Sequence, residues 1–149
     1  WQDAVPNDRL AHLIRDAGRS LGHRLTPLLA EHGIPFGHWA FLRVLWEQDG
    51  LTQRELSDAV GVTEPTTFAA VKALMNGGYI TRRHKPGNKR KFYVYLTPEG
   101  ASLRDVLVPL AEEVNRVAVK NIPHEQVVIM RTTLLKMIEN LATAEAEAR

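Results

Sequence analysis

Between Thr52 and Leu96 the spacing of apolar residues changes once, from helical to alternating, and that change limits the folds open to the chain. Thr52-Gln53-Arg54-Glu55 has the capping-box spacing of a helix start. That helix carries Leu56, Ala59 and Val60 and stops at Gly61. Thr63 caps a second helix, with Thr66, Val71 and Leu74 along it, which ends at Asn76-Gly77-Gly78. The pattern then shortens. Residues 79–81 read as extended, Pro86-Gly87-Asn88 is turn chemistry, and 91–96 alternates. Phe92, Val94 and Leu96 fall on one face of that strand, with Tyr93 and Tyr95 on the other. Two short helices followed directly by a hairpin form a helix-turn-helix with a wing.

Longer helices flank this unit. Residues 8–32 place Leu10, Leu13, Ile14, Ala17, Leu21, Leu25, Leu28 and Leu29 at steps of three and four. Asn7 is the expected N-cap, Gly33 the stop, and Pro27 a bend. A second helix, 37–48, carries Trp39, Phe41, Leu42, Leu45 and Trp46, and Asp49-Gly50 turns the chain. Thr97-Pro98-Glu99 opens another helix, with Pro109 as a possible bend site. After Asn121-Ile122-Pro123 a last helix carries Val127, Val128, Leu134, Leu135, Ile138, Leu141 and Ala142, and its tail is expected to fray. The fold class is mainly α with a small β-hairpin wing.

Charge gives the wing a partner. The chain has a formal net charge of only +2, yet Arg82, Arg83, Lys85, Lys89, Arg90 and Lys91 crowd one short stretch that contains no acid. The remainder of the chain is therefore net negative. Six cations on one hairpin repel one another unless an anion lies near. The second short helix has the width of a B-DNA major groove. The basic hairpin suits the adjacent minor groove or the phosphates. Thr52 and Thr63 stand at helix N-termini, where free N–H groups attract phosphate oxygens. Double-stranded DNA is the expected partner.

Other classes find little support. Cysteine is absent, which removes disulfide frameworks, thiolate metal sites and cysteine redox switches. The histidines, His12, His23, His32, His38, His84 and His124, form no His-Glu-x-x-His unit and no close metal pair with an acid. There is no phosphate-cradling Gly-rich loop and no Gly-x-Ser-x-Gly elbow. Neither an enzyme, nor a cofactor, nor a metal is expected. At 44% apolar residues the chain supports a globular core, and no run is long enough to span a membrane. The first residues lack a secretory signal pattern and a Met, so a cytoplasmic protein trimmed at that end is expected.

The stretch LTQRELSDAVGVTEPTTFAAVKALMNGGYITRRHKPGNKRKFYVYLTPEG resembles the MarR family of bacterial transcription regulators. The Leu-Thr-Gln start, the Gly-Val before the second helix, the basic wing and the Leu-Thr-Pro-Glu-Gly after it carry the resemblance. It implies an intertwined homodimer. Residues 8–35 and 98–147 would form the helical dimerisation lobe, and 36–97 the winged helix-turn-helix lobe. Two such lobes would read a pseudo-palindromic operator, with half-sites about one helical turn apart. Repression is the expected outcome. Three long helices with broad apolar stripes, more than one small lobe can bury, point the same way.

The sequence departs from the family at its contact positions. The wing turn often ends in Asp-Arg-Arg, and here Asn88, Lys89 and Arg90 stand there. Lys lacks the planar fork of Arg, so Arg90 and Arg83 are alternatives to Lys89 for minor-groove insertion. A Thr-Arg pair in the reading helix is replaced by Phe68-Ala69-Ala70. Base reading is then expected from Thr63, Glu64, Thr66, Thr67 and Lys72, with Ala69 or Ala70 against a thymine methyl. Gln53, beside Thr52, joins the expected DNA contacts. Family members often bind a small phenolic or aromatic acid. Ser20, His23, Arg24, His38, Trp39 and Arg43 are the residues here that suit such an effector, as apolar slab or as anion holder.

Overall fold

The computed structural model describes residues 9–149. Its described residues form two compact units, one ending at Val114 and the other Asn115–Arg149. The first holds α1 (Leu10–Ala30), α2 (Phe36–Glu47), α3 (Gln53–Val60), α4 (Glu64–Asn76), β1 (Ile80–Lys85), β2 (Asn88–Leu96) and most of α5 (Pro98–Ala118). The second holds the end of α5 and α6 (His124–Glu147).

Local chemistry sets most boundaries. α1 continues through Pro27, although a proline there has no N–H for the preceding turn. Leu25 and Leu29 are its buried residues, and its first turns leave Leu10, Leu13 and Ile14 exposed. Gly33, at φ 74°, ends it as expected. The Asn7 cap lies outside the described residues. α2 starts just after Pro35 and buries Trp39, Phe41, Leu42 and Leu45. α3 has the full capping box: the Thr52 hydroxyl accepts from the Glu55 N–H, and the Glu55 carboxylate accepts from the Thr52 N–H. Such a cap contributes about 1 kcal/mol. Gly61 turns the chain at φ 79° into α4, which Thr63 caps.

The first unit's core joins Leu25, Leu29, Ile34, Phe41, Leu42 and Leu45 to Leu56, Val71, Leu74, Ile80, Val94, Leu107 and Val114. Two ties hold the start of α5, one to α2 and one to the base of the hairpin. The Trp46 indole N–H donates to the Gly100 carbonyl at 2.9 Å, and the Thr97 hydroxyl donates to the Gly78 carbonyl at 2.6 Å. A Cβ on Gly100 would overlap the Tyr79 carbonyl oxygen, so the Gly of Leu-Thr-Pro-Glu-Gly is required by close backbone approach.

The hairpin is longer than the sequence pattern suggests. β1 and β2 pair antiparallel from Ile80↔Leu96 to Lys85↔Asn88, with an irregularity between Arg83 and Lys85. The wing cations therefore sit on paired strands as well as at the tip. Leu51 bridges Val94, an added pairing that the sequence did not show. Asp49 secures it, accepting from the Gly50 N–H at 3.1 Å and the Leu96 N–H at 2.9 Å.

In the second unit α6 runs to Glu147, taking in the alanine- and glutamate-rich tail. α6 has no buried residue and exposes Val128, Ile129, Met130, Leu135, Ile138 and Leu141. No helix among the described residues is long and apolar enough to cross a membrane.

Candidate nucleic-acid interface

The rotation of α4 decides which of its side chains are available. Thr67, Ala70, Val71 and Leu74 are buried. Thr63, Glu64, Pro65, Thr66, Phe68, Ala69, Lys72 and Asn76 are exposed. Thr67 is fully enclosed: the Ser57 hydroxyl donates to its Oγ1 at 2.7 Å, and its own hydroxyl donates to the Thr63 carbonyl at 3.2 Å. Thr67 therefore braces α3 against α4 and is not the base contact expected of it. Ala70 is likewise buried, which leaves Ala69 of the two alanines at the surface. The hydroxyls of Thr63 and Thr66 lie 2.9 Å apart at the open N-terminus of α4. Pro65 costs little there, since first-turn N–H groups have no partner inside the helix.

Thr52 is half-buried, with its hydroxyl engaged to Glu55, so it serves first as a cap. Glu55 is held below the usual carboxylate range, mainly by the Thr52 backbone and hydroxyl, with a smaller contribution from Lys85 and Lys91. Gln53 lines a cleft of about 170 Å³ with Phe68, Val71, Lys72, Met75, Asn76 and Arg82. Its amide oxygen is buried there without a hydrogen-bond partner.

The wing sorts its cations into two groups. On one face the Arg83 guanidinium lies 4.0 Å from the Tyr95 ring centre, and the Lys85 ammonium 4.2 Å from that of Tyr93. Each ring anchors a cation by its π face. On the other face Phe92 stacks on His84 at 4.1 Å, with Arg82 5.2 Å from its centre. Phe92 was expected to share the core face with Val94, but it is 48% exposed because its neighbours are His84 and Arg82 rather than the core. Lys89, Arg90 and Lys91 are exposed beside the turn. The Asn88 side chain accepts from the Arg90 N–H at 3.1 Å, so it shapes this tip.

The six residues expected to hold an effector do not gather in the chain. Ser20, His23 and Arg24 line an open hollow of about 430 Å³ on α1, with Arg19. Arg43 lines another, with Ala40, Val44, Glu47, Ala59 and Val60. His38 is half-buried, and burial lowers its pKa below 6.5. Trp39 is a core residue, not a slab open to a ligand: it is 7% exposed and packs edge-on against Trp46 at 5.6 Å. No cluster of metal-ligating side chains occurs among the described residues.

Sequence reasoning missed Phe68, which is 52% exposed on α4. Helical spacing signals it weakly, since a phenylalanine in an amphipathic helix is ordinarily read as core.

Known proteins share this arrangement. Residues 36–92 match the MarR family. The HTH-type transcriptional regulator TtmR of Methylorubrum extorquens (strain PA1) is 26% identical over 98 residues, covering 66% of this chain and 50% of TtmR. The match thus spans only half of that protein. A MarR transcriptional regulator from Methanosarcina mazei Go1 superposes with a TM-score of 0.87 at 24% identity, covering 95% of each chain. A putative MarR family regulator from Listeria monocytogenes, complexed with 26mer DNA, superposes with a TM-score of 0.82 at 24% identity, covering 90% of this chain and 89% of that one. These relatives are transcriptional regulators by name, and the chain shares the fold of the two solved structures. Residues 36–92 thus match the MarR family, and the chain has the fold of the MarR regulators that it superposes on.

Proposed function

We propose that the protein is a cytoplasmic repressor that binds a pseudo-palindromic operator as a homodimer and is released by a small aromatic or phenolic acid. The observation that carries DNA reading is the pairing of an exposed α4 with a hairpin whose tip bears Lys89, Arg90 and Lys91. α4 enters the major groove and presents Thr63, Glu64, Thr66 and Lys72 to base edges and phosphates. Thr52, Gln53, Arg82, Arg83, Lys85 and Lys91 lie along the backbone path. Asn88 shapes the tip, and Arg90 is the residue of choice for the minor groove. Arg90 has the planar guanidinium that Lys89 lacks, and it is not stacked on an aromatic ring as Arg83 is.

The effector reading rests on the α1 hollow. Arg24 and His23 supply cationic and donor groups for a carboxylate, and Ser20 supplies a hydroxyl. His38 and Arg43 stand on α2, outside the residues that line this hollow. Residues 8–35 and 98–147 serve as the dimerisation lobe and 36–97 as the reading lobe. The exposed apolar rows of α1 and α6 support a partner chain.

Fluorescence-anisotropy titration tests this. The protein is titrated on the DNA upstream of its own gene and on random DNA of equal length, with and without a panel of aromatic carboxylates. Tight, salt-sensitive preference for the upstream DNA, relieved by one compound, is expected. Equal weak binding to both would reduce the wing to a general polyanion site.

A further inference from the structure

We propose that Phe68, with Ala69 beside it, reads thymine by apolar contact with the C5-methyl group, so that the operator half-site carries thymine opposite α4. The proposal rests on α4 being the DNA-reading helix.

Specific reading of guanine relies on the fork of Arg or on Lys, and of adenine on Asn or Gln. The exposed residues of α4 after its first turn are Phe68, Ala69, Lys72, Ala73 and Asn76. No arginine is among them; Lys72 and Asn76 are the two that hydrogen-bond base edges, and the other three are apolar. The thymine methyl is the one apolar feature a base pair displays in the major groove, and Phe and Ala are side chains that contact it.

Phe68 is also held in place. The buried hydroxyl pair of Ser57 and Thr67 and the buried Ala70, Val71 and Leu74 set the rotation of α4. With that rotation fixed, Phe68 stays 52% exposed on the rim of the cleft that Arg82 also lines. An aromatic side chain kept half in water has little reason to stand there for stability alone, since burial is what makes phenylalanine stabilising. Arg82 is drawn to the Phe92 ring at 5.2 Å, so it does not cover Phe68 by a cation–π contact of its own.

The test uses the full-length protein. A duplex is first selected from a random pool, and thymines in it are then replaced singly by uracil, which removes only the methyl. At one or more positions wild-type affinity should fall about fourfold, the value of one buried methyl-sized group. Phe68→Ala should bind the selected duplex more weakly and lose that sensitivity at the same position. It should keep its melting temperature and its affinity for random DNA. Equal wild-type affinity for thymine and uracil at every position would overturn the proposal. So would uracil sensitivity that persists unchanged in Phe68→Ala, or a selected half-site without thymine. Failure to select any sequence would remove the DNA-reading assignment of α4 itself and the proposal with it.

Discussion

Thr66 and Thr67 are neighbours of identical chemistry, and burial gives them different work. The Thr67 hydroxyl is enclosed between Ser57 and the Thr63 carbonyl, whereas that of Thr66 faces outward beside Thr63. No local pattern distinguishes them, because the rotation of α4 is set by its packing against α3. Thr67→Val should therefore cost about 1 kcal/mol of stability through the lost hydrogen bonds and leave base preference unchanged. A urea midpoint and binding to a selected duplex check both halves. Altered base preference at unchanged stability would return Thr67 to the DNA surface. His38 supplies the pH-dependent residue. Burial lowers its pKa below the ordinary 6.5, so the folded state binds a proton less readily than the unfolded chain. Its share of stability is full above 6.5 and is lost as pH falls through the lowered folded value. Between about pH 7.5 and pH 5 the wild type should lose more stability than His38→Gln in paired urea titrations. Parallel losses would show that other groups carry the acid sensitivity.

At the level of elements, the helix-turn-helix was legible because its signals are local: the capping box at Thr52, the left-handed Gly61 and the cap at Thr63. The extent of the wing was not. β1 reads Ile-Thr-Arg-Arg-His-Lys, so cations occupy positions where apolar alternation would reveal a strand. What pairs them is tertiary: tyrosine rings opposite Arg83 and Lys85, and the remote bridge of Leu51 to Val94. The candidate site was legible to the same degree. Lys89 and Arg90 stood out as charge, while the loss of Thr67, Ala70 and Trp39 to the core depended on packing. This division within the wing has a measurable consequence. Lys89 at the tip should act on phosphate, and each neutralised phosphate contact contributes about 0.9 to the slope of log affinity against log salt. Lys89→Ala should lower that slope by roughly 0.9 for each wing on the duplex and weaken all duplexes alike. Arg83→Ala should change the slope less and destabilise the hairpin, since its guanidinium is committed to Tyr95. Slopes measured between low and moderate salt separate these outcomes. A tip variant with an unaltered slope would remove the tip from the DNA contact.

For the whole molecule the question is what covers the apolar rows. Leu135, Ile138 and Leu141 on α6 are 59%, 65% and 68% exposed, and α6 buries nothing. Scattered apolar residues on a surface are ordinary, but a helix that remains regular to Glu147 with a continuous apolar stripe and no buried face needs a partner surface. The proposed second copy of the chain would answer that need in a way that also serves reading. Two wings and two reading helices related by a two-fold axis match a pseudo-palindrome, and tethering them makes the second half-site an intramolecular contact. Dimerisation and operator affinity should then fail together. Leu135→Glu with Ile138→Glu places two carboxylates where an apolar interface is proposed, and charges buried without partners cost several kcal/mol each. Sedimentation should show the wild type at twice the mass of one chain and the variant at one. The variant should keep weak, salt-dependent binding to a single half-site, because its wing and α4 are untouched, and lose the gain of the paired site. A wild type that sediments as a single chain while binding the palindrome at full affinity would refute this. A variant that remains double would move the interface off α6.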